Sequence, residues 1–211
     1  MISDLKTGTT TIGLIARDSV VLAADMRASL GHIAYDEEND KLSEITPHTG
    51  LTNAGSVGDT MTIVRYLRNH AKMYALERET EITTKGLVTF LSNILSGNRY
   101  YPFEVQFVIG GVVPQSSLFE VTPLGAMLER KKYAVSGSGT EMALSTLDLN
   151  YKTDMEENDA IELAVRAIGQ GKRRDIFSGG KSISVMVIDS KGIRRVPQKI
   201  IEKYIKNHNT N

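Results

Sequence analysis

The sequence of 211 residues contains no cysteine. Disulfide bonds, zinc thiolate sites and a cysteine nucleophile are therefore excluded, and the composition suits a reducing compartment. The chain also lacks an excess of either charge, because 25 Lys and Arg residues balance 25 Asp and Glu residues. No overall field attracts such a chain to nucleic acid or to a membrane surface, so we expect neither as a partner. The basic clusters at residues 130–132 and 172–174 are interpreted as solvated faces.

Long apolar runs are absent as well. The longest fall far short of the roughly 20 residues of a membrane-spanning helix. The first eight residues, MISDLKTG, lack the apolar segment of a signal peptide. We therefore expect a cytoplasmic protein with a short N-terminal extension. Because 41% of the residues are hydrophobic, the chain can bury the core of a single domain.

The hydrophobic pattern predicts strands in groups and helices in pairs. Segments with alternating apolar residues, separated by turn residues such as glycine and proline, predict strands. They are residues 10–16, 19–24, 33–35, 42–45, 50–54, 104–113, 117–122, 126–135 and 182–189. Helical spacing predicts helices from Val57 onward, at 83–96, at 140–149, at 157–170 and from Pro197 onward. Grouped strands indicate an α+β fold with antiparallel sheets, and two facing sheets with helices outside each would bury every apolar stripe.

Several patterns that could bind a ligand are weak. The four histidines, His32, His48, His70 and His208, show no ligand spacing on one helix, so no metal site is expected. The acidic run at 36–40 lacks the glycine and the final glutamate of a calcium loop, and is interpreted as a solvated turn. The segments 55–59 and 136–142 could offer backbone N–H groups to a phosphate, but a turn before a helix explains each of them. We expect no cofactor.

The N-terminal region supplies the remaining candidate. Gly8 and three threonines stand directly before a predicted strand, in the order KTGTTTIGLIA from residue 6. Threonine favours strands, which is one interpretation. In the other, Thr9 becomes a nucleophile whose base is its own amine, since a free α-amine has an unperturbed pKa of about 7.7–8.0. That amine exists only if the Gly8–Thr9 bond is cut, and glycine reaches the tightly turned backbone that such an attack requires.

Six separate motifs occur along the chain. They are GTTTIG at 8–13, AADMR at 23–27, Lys41, AGSVGD at 54–59, SGSG at 136–139 and RDIFSGG at 174–180. Their order matches that of the family's motifs and their spacing is close to it, so together they resemble the β subunit of the 20S proteasome of the archaeal kind. The resemblance implies a four-layer αββα sandwich of two antiparallel sheets, the N-terminal-nucleophile hydrolase fold. It also implies a zymogen in which residues 1–8 are a propeptide removed by autolysis and residues 9–211 are a single catalytic domain.

The resemblance implies a role for each residue around the nucleophile. Thr9 matches the N-terminal nucleophile, and Lys41 matches a buried lysine beside it. An ammonium there would lower the pKa of the Thr9 hydroxyl and disfavour a second cation at the amine. Asp25 would hold Lys41 in place and charged, and the backbone N–H of Gly55 matches the oxyanion hole.

Further residues are matched to supporting positions. Arg27 pairs with Asp25 in the family pattern, and the residues that surround and orient the N-terminal amine match Ser138, Asp175 and Ser178. In isolation, the last three would be interpreted as a turn serine, a helix-end aspartate and a loop serine. Only their joint appearance with the other motifs supports a catalytic role.

The resemblance also implies a pocket for the substrate residue before the cleaved bond, lined by Ala28, Asn53 and Val57. Asn53 stands where an apolar residue is expected, and Val57 stands where a smaller one is common. An amide left unpaired by an apolar side chain is costly, so we expect weak or altered cleavage after large hydrophobic residues. Ser29 replaces the usual threonine, a mild change because that residue binds substrate mainly through its backbone.

Two classes of function remain open. In the first, the chain is a threonine endopeptidase that cuts unfolded polypeptides inside a chamber. In the second, it is a structural subunit that keeps its extension while a paralogue does the cutting. The complete set of catalytic matches favours the first. For either function, the resemblance implies a homo-oligomeric ring of seven β subunits, two such rings between rings of α subunits, and an ATPase regulator that acts through the α ring.

Overall fold

The computed structural model describes residues 8–31 and 33–209, except for the side chains of residues 208 and 209. Of the predicted extension, only Gly8 falls within these ranges, while His32 and the His208 side chain fall outside them. The described chain forms two five-stranded sheets and a two-stranded hairpin. Neighbouring strands are antiparallel in all three.

The elements are as follows. The first sheet has the order β10 (Tyr133–Ser136), β1 (Thr11–Ile15), β2 (Val20–Asp25), β11 (Ile183–Asp189) and β12 (Gly192–Arg195). The second has the order β5 (Leu42–Thr46), β6 (Thr49–Gly55), β7 (Val105–Gly111), β8 (Ser117–Val121) and β9 (Met127–Arg130). The hairpin pairs β3 (Ala28–Leu30) with β4 (Ile33–Asp36). The helices are α1 (Val57–Arg78), α2 (Thr84–Gly97), α3 (Thr140–Asn150), α4 (Glu157–Arg174) and α5 (Gln198–Asn209).

The two sheets pack face to face between layers of helices. Val20, Leu22 and Ala24 of β2 lie in the core between the sheets, with residues of β7, β8 and β11. The alternate residues Val21 and Ala23 lie in a second core, against α3 and α4. A strand that is apolar on both faces is covered on both faces, as the period of two requires. Helices α1 and α2 cover the outer face of the second sheet. This arrangement confirms the predicted α+β fold, a four-layer αββα sandwich of two antiparallel sheets.

The structure differs from the predicted elements in three places. The single strand predicted at 126–135 is two strands, β9 and β10, which belong to different sheets and are separated by Lys131 and Lys132. A run of strand-forming residues does not show that the chain crosses between sheets within it. The short strands β3 and β12 were not predicted, because their residues are exposed or half-buried and carry no clear alternation. Helix α4 continues to Arg174, four residues beyond its predicted end.

Strand pairing brings distant segments to one edge of the first sheet. Thr11 of β1 pairs with Ala24 on one side and with Ser136 on the other. The residues just before β1 therefore lie between the end of β2 and the turn that follows β10. Ile183 pairs with Asp25, which brings the loop before β11 to the same place. No helix in the described ranges is both long and apolar enough to cross a membrane.

Candidate active site

Asp25, the last residue of β2, lies at the centre of this edge and is fully buried. Its Oδ1 accepts hydrogen bonds from the Thr9 hydroxyl (2.5 Å), the Thr10 N–H (2.9 Å) and Lys41 Nζ (2.7 Å). Its Oδ2 accepts from the backbone N–H groups of Arg27 (3.2 Å) and Gly179 (2.8 Å). A buried carboxylate requires such donors to stay charged. Asp25 therefore fixes the positions of the residues around it through its own charge.

Lys41 precedes β5 and is buried with its ammonium on Asp25. Burial lowers the pKa of Lys41, while the Asp25 carboxylate opposes that shift. The lysine thus gives up its proton more readily than a free lysine does. Since Lys41 Nζ and the Thr9 hydroxyl share the Oδ1 atom of Asp25, the lysine lies next to the hydroxyl predicted to be the nucleophile.

Hydroxyl groups and a second carboxylate surround the backbone nitrogen of Thr9. The Thr9 N–H donates to Ser138 Oγ (3.1 Å), and Ser138 in turn donates to Asp175. Ser178 also donates to Asp175 (2.6 Å) and shares a hydrogen bond with the Thr10 hydroxyl (2.7 Å). The structure therefore joins the three predicted orienting residues into one network that reaches Thr9.

The turn between β10 and α3 approaches Thr9 closely. Gly137 has a φ of 99°, and a Cβ on it would lie 2.2 Å from the Thr9 carbonyl oxygen. The N–H of Gly139 donates to that oxygen (3.2 Å). Only glycine at position 137 combines this backbone conformation with this approach. The SGSG segment thus holds Thr9 in place by backbone contact, in addition to the Ser138 side chain.

Two cations hold the loop after α4 against Asp25. Arg27 donates to the Ser178 carbonyl (3.3 Å) and to Glu37 (3.1 Å). Lys172 Nζ donates to the carbonyl oxygens of Gly180 (2.8 Å) and Ser182 (3.1 Å), and burial lowers the pKa of this lysine. The interpretation of residues 172–174 as a solvated face was therefore wrong for Lys172.

Neither Lys172 nor Glu37 was predicted from the sequence as part of the site. Glu37 was interpreted as part of a solvated turn, yet its carboxylate meets the Arg27 guanidinium. A charge within a polar run gives no signal of a tertiary partner. For Lys172, the one available signal was its place on the strongly amphipathic α4, one turn before Asp175.

Gly55, the predicted oxyanion donor, ends β6 directly before Ser56, which caps α1. Its φ is 118°, and a Cβ there would lie 2.0 Å from the carbonyl oxygen of Glu104. The position therefore requires glycine. Gly55 lies two residues after Asn53 in the same strand, and this strand is bonded to Lys41, since Asn53 N and Nδ2 both donate to the Lys41 carbonyl (3.0 and 2.9 Å).

A cavity of about 550 Å³ opens beside this strand. Asn53 and Val57, two of the predicted pocket residues, line it. Ala28 and Ser29 do not, because both lie in the β3–β4 hairpin. Ser29 lines a smaller cavity of about 140 Å³ and donates to the Phe177 carbonyl (3.2 Å). Ala28 lines neither of these two cavities, and the common pocket for Ala28, Asn53 and Val57 stays a prediction.

Metal ligands are not grouped in the described part of the chain. Within residues 8–31 and 33–209, no cluster of three or more His, Cys, Asp and Glu side chains is placed to hold a metal ion. His48 bonds Glu81 (2.7 Å between Nδ1 and Oε2), and His70 stacks on Phe90 with ring centroids 3.7 Å apart. Both described histidine side chains therefore have structural contacts away from Thr9.

Comparison with known proteins defines the class. The chain matches the family model described as "Proteasome subunit" over residues 5–188. It is 42% identical over 204 residues to the proteasome subunit beta of Methanocaldococcus fervens, covering 96% of this chain and 91% of that protein. It is 41% identical over 199 residues to the proteasome subunit beta 2 of Pyrococcus furiosus, covering 94% of this chain and 96% of that protein.

The fold and the family match indicate the same class of protein. The sandwich of two antiparallel sheets between helix layers is that of an N-terminal-nucleophile hydrolase. The chain belongs to the proteasome subunit family, and the relatives it resembles are archaeal β subunits. A protein of this family assembles with other proteasome subunits.

Proposed function

We propose that the chain is a threonine-type endopeptidase, the catalytic β subunit of a proteasome core that degrades unfolded polypeptides. One observation carries the proposal: the Thr9 hydroxyl and the Lys41 ammonium share a single oxygen of the buried Asp25. A hydroxyl is a poor nucleophile unless a neighbouring group lowers its pKa or takes its proton. Asp25 and Lys41 are such neighbouring groups for the Thr9 hydroxyl. The proposed chemistry needs neither a metal nor a cofactor.

Maturation would begin with attack of Thr9 Oγ on the carbonyl carbon of Gly8. The C–N bond between the two residues breaks, the hydroxyl proton passes to the Thr9 nitrogen, and Gly8 becomes an ester on Thr9. Water then hydrolyses the ester and releases residues 1–8 with a new carboxylate. Ser138 accepts the Thr9 N–H at 3.1 Å, so the nitrogen that must leave is already held. The product carries a hydroxyl and a free amine on one residue.

Turnover would repeat this chemistry on a substrate peptide. The free amine, acting through a water, takes the hydroxyl proton as Thr9 Oγ attacks the scissile carbonyl. The Gly55 N–H would donate to the oxygen that becomes negative. The proton passes to the leaving amine, and water hydrolyses the acyl ester, which restores Thr9. In this scheme Ser138, Asp175 and Ser178 orient the amine.

Assembly would enclose the site. We place the chain in a ring of seven β subunits, with two such rings between rings of α subunits, and we expect an ATPase to deliver unfolded chains through the α ring. Membership in the family and the similarity to β subunits support this proposed assembly. The enclosed chamber would restrict cleavage to polypeptides that are already unfolded.

The test is the intact mass of the purified full chain, alone and after mixing with its α subunits, together with peptide hydrolysis. We expect a chain that has lost MISDLKTG and begins at Thr9, and hydrolysis that appears with this loss. A chain that keeps Met1 under both conditions and hydrolyses no peptide would contradict the proposal. That result would instead assign the chain the role of a structural subunit.

Replacing Gly8 with alanine is expected to block or strongly slow this maturation. A Cβ on Gly8 would lie 1.8 Å from the Phe177 Cβ and 2.7 Å from Ser138 Oγ, so residue 8 must shift and its carbonyl carbon is displaced relative to the Thr9 hydroxyl. A displacement of about 1 Å of the reacting atoms costs on the order of a hundredfold in rate. The measurement is the rate at which residues 1–8 are lost, followed by mass.

A matched control separates maturation from folding. A Gly8→Ala chain freed of residues 1–8 by an added protease site should be as active as the wild type, because residue 8 is gone. The double variant Gly8→Ala with Phe177→Gly should recover part of the rate, since glycine removes the two Phe177 atoms, Cβ and Cγ, that lie nearest to the added Cβ. Maturation of Gly8→Ala at the wild-type rate would show that this steric argument is wrong.

A further inference from the structure

The cavity beside Asn53 has a lining that the catalytic scheme does not use. One wall is α1, where Val57, Met61 and Arg65 follow one another at intervals of four residues. Residues four apart share one face of a helix, so these three form a continuous row. The row starts two residues after Gly55 and ends at an arginine. The cavity therefore forms a groove along α1, from the residues next to Gly55 to a cation.

The remaining lining of this cavity includes polar residues. Asn39 and Asp40 lie before β5, and Ser43 belongs to that strand. Asn53 also lines the cavity, and its side chain donates to the carbonyl of Lys41. An apolar side chain placed in this cavity would remove water from the amide oxygen of Asn53 and the hydroxyl of Ser43, which is costly.

The charges of the lining favour an anion. Arg65 has no carboxylate within ion-pair distance among the described residues. Arg68 also lines the cavity, and its Nε donates to the carbonyl oxygen of Glu44 (2.8 Å), which leaves its charge uncompensated. Asp40 is the opposing charge, but its carboxylate is paired with Arg195 (3.1 Å). A ligand in the cavity thus meets two guanidinium groups whose charge is not neutralised by a carboxylate.

We propose that this cavity binds an acidic side chain, aspartate or glutamate, at the substrate position just before the cleaved bond, and that Arg65 determines this preference. The proposal rests on the peptidase function proposed above. Side chains on a helix lean toward its N-terminus, so Arg65 leans toward Met61 and the catalytic end of the groove. Guanidinium and carboxylate groups form strong charge-assisted hydrogen bonds, and a basic substrate side chain would be repelled. The Arg68 guanidinium adds to the positive electrostatic potential in the cavity.

The experiment uses the processed chain assembled with its α subunits and four reporter peptides. The peptides differ only in the residue before the cleaved bond, which is Glu, Gln, Leu or Arg. We expect kcat/KM for the Glu peptide to exceed that for the isosteric Gln peptide roughly tenfold, the effect of a hydrogen bond to a charged group. Raising the salt concentration should reduce this ratio, because the arginines are exposed to solvent.

Variants locate the effect on Arg65. Arg65→Gln is expected to bring the Glu-to-Gln ratio of kcat/KM close to one, and Arg65→Glu is expected to invert the order of the Glu and Arg peptides. Arg78→Gln is the matched control, since Arg78 is an exposed arginine at the far end of the same helix and does not line the cavity. It should leave the ratio and the activity as in the wild type.

Three failures can be told apart. Equal kcat/KM for the Glu and Gln peptides in an enzyme that cleaves them would overturn the acidic preference and leave the peptidase function standing. A ratio that Arg65→Gln does not change would remove Arg65 as its determinant. If no peptide is cleaved and the chain keeps Met1, the proposed function fails, and the inference fails with it.

Discussion

The Thr9→Ala variant is expected to keep residues 1–8 and to hydrolyse no peptide, in the presence or absence of α subunits. Alanine has no hydroxyl, so neither the attack on Gly8 nor the attack on a substrate carbonyl can begin. The variant should remain folded. It loses one hydrogen bond to Asp25, worth about 1–2 kcal/mol of the free energy of unfolding, while the other donors to that carboxylate remain. Intact mass, peptide hydrolysis and thermal unfolding together check this result.

The Thr9→Ser variant is the informative control. Serine keeps the hydroxyl but lacks the methyl that restricts χ1, so the oxygen is held less firmly. We expect this variant to mature and to cleave peptides more slowly than the wild type. An active or processed Thr9→Ala chain would place the nucleophile elsewhere, and the neighbouring Thr10, bonded to Ser178, would be the next candidate.

Much of the fold followed from the hydrophobic pattern, because both faces of the central strands are buried. The pattern of β2 shows this, since a helix layer and a second sheet each cover one of its faces. The pattern did not show where the chain changes sheet. Lys131 and Lys132 separate β9 from β10, yet two lysines between strand-forming residues have no distinct signature.

The candidate site depended on the resemblance. Thr9, Asp25 and Lys41 are joined directly by hydrogen bonds, although no local spacing relates them. Strand register brings them together, and register is a tertiary property. The structure places these side chains in contact, and their catalytic roles stay predictions. Lys172 was also missed because its contacts are tertiary. Its partners are carbonyl groups in a loop that carries no charge pattern.

Replacing Asp25 with asparagine is expected to destabilise the fold more than any single change at the surface. Each oxygen of Asp25 accepts from N–H or O–H donors, including the Lys41 ammonium. Asparagine offers one oxygen and one NH2 group, so in either orientation the NH2 faces donors. Lys41 also loses its buried counter-charge, which costs about 3–5 kcal/mol. For a domain of this size, the melting temperature should fall on the order of 10 °C.

Two comparisons isolate the cause of that loss. In the double variant Asp25→Asn with Lys41→Met, both buried charges are gone, so part of the lost stability should return. Glu38→Gln removes one partner of the exposed Lys181 pair and should change the free energy of unfolding by less than about 1 kcal/mol. Urea unfolding of the purified chains measures all three. An Asp25→Asn chain as stable as Glu38→Gln would show that the buried pair does not stabilise the fold.

The pH dependence gives the sharpest test of this explanation. Burial already lowers the folded-state pKa of Lys41 below its ordinary value of 10.5, and removing the Asp25 carboxylate should lower it further. Between the folded and unfolded pKa values, the unfolded chain binds more protons, so the free energy of unfolding rises with pH. This rise begins at lower pH in Asp25→Asn than in the wild type. The stability gap between the two should therefore narrow as the pH increases toward 10.5, and a gap that stays constant or widens would mean that Lys41 is not the group left unpaired.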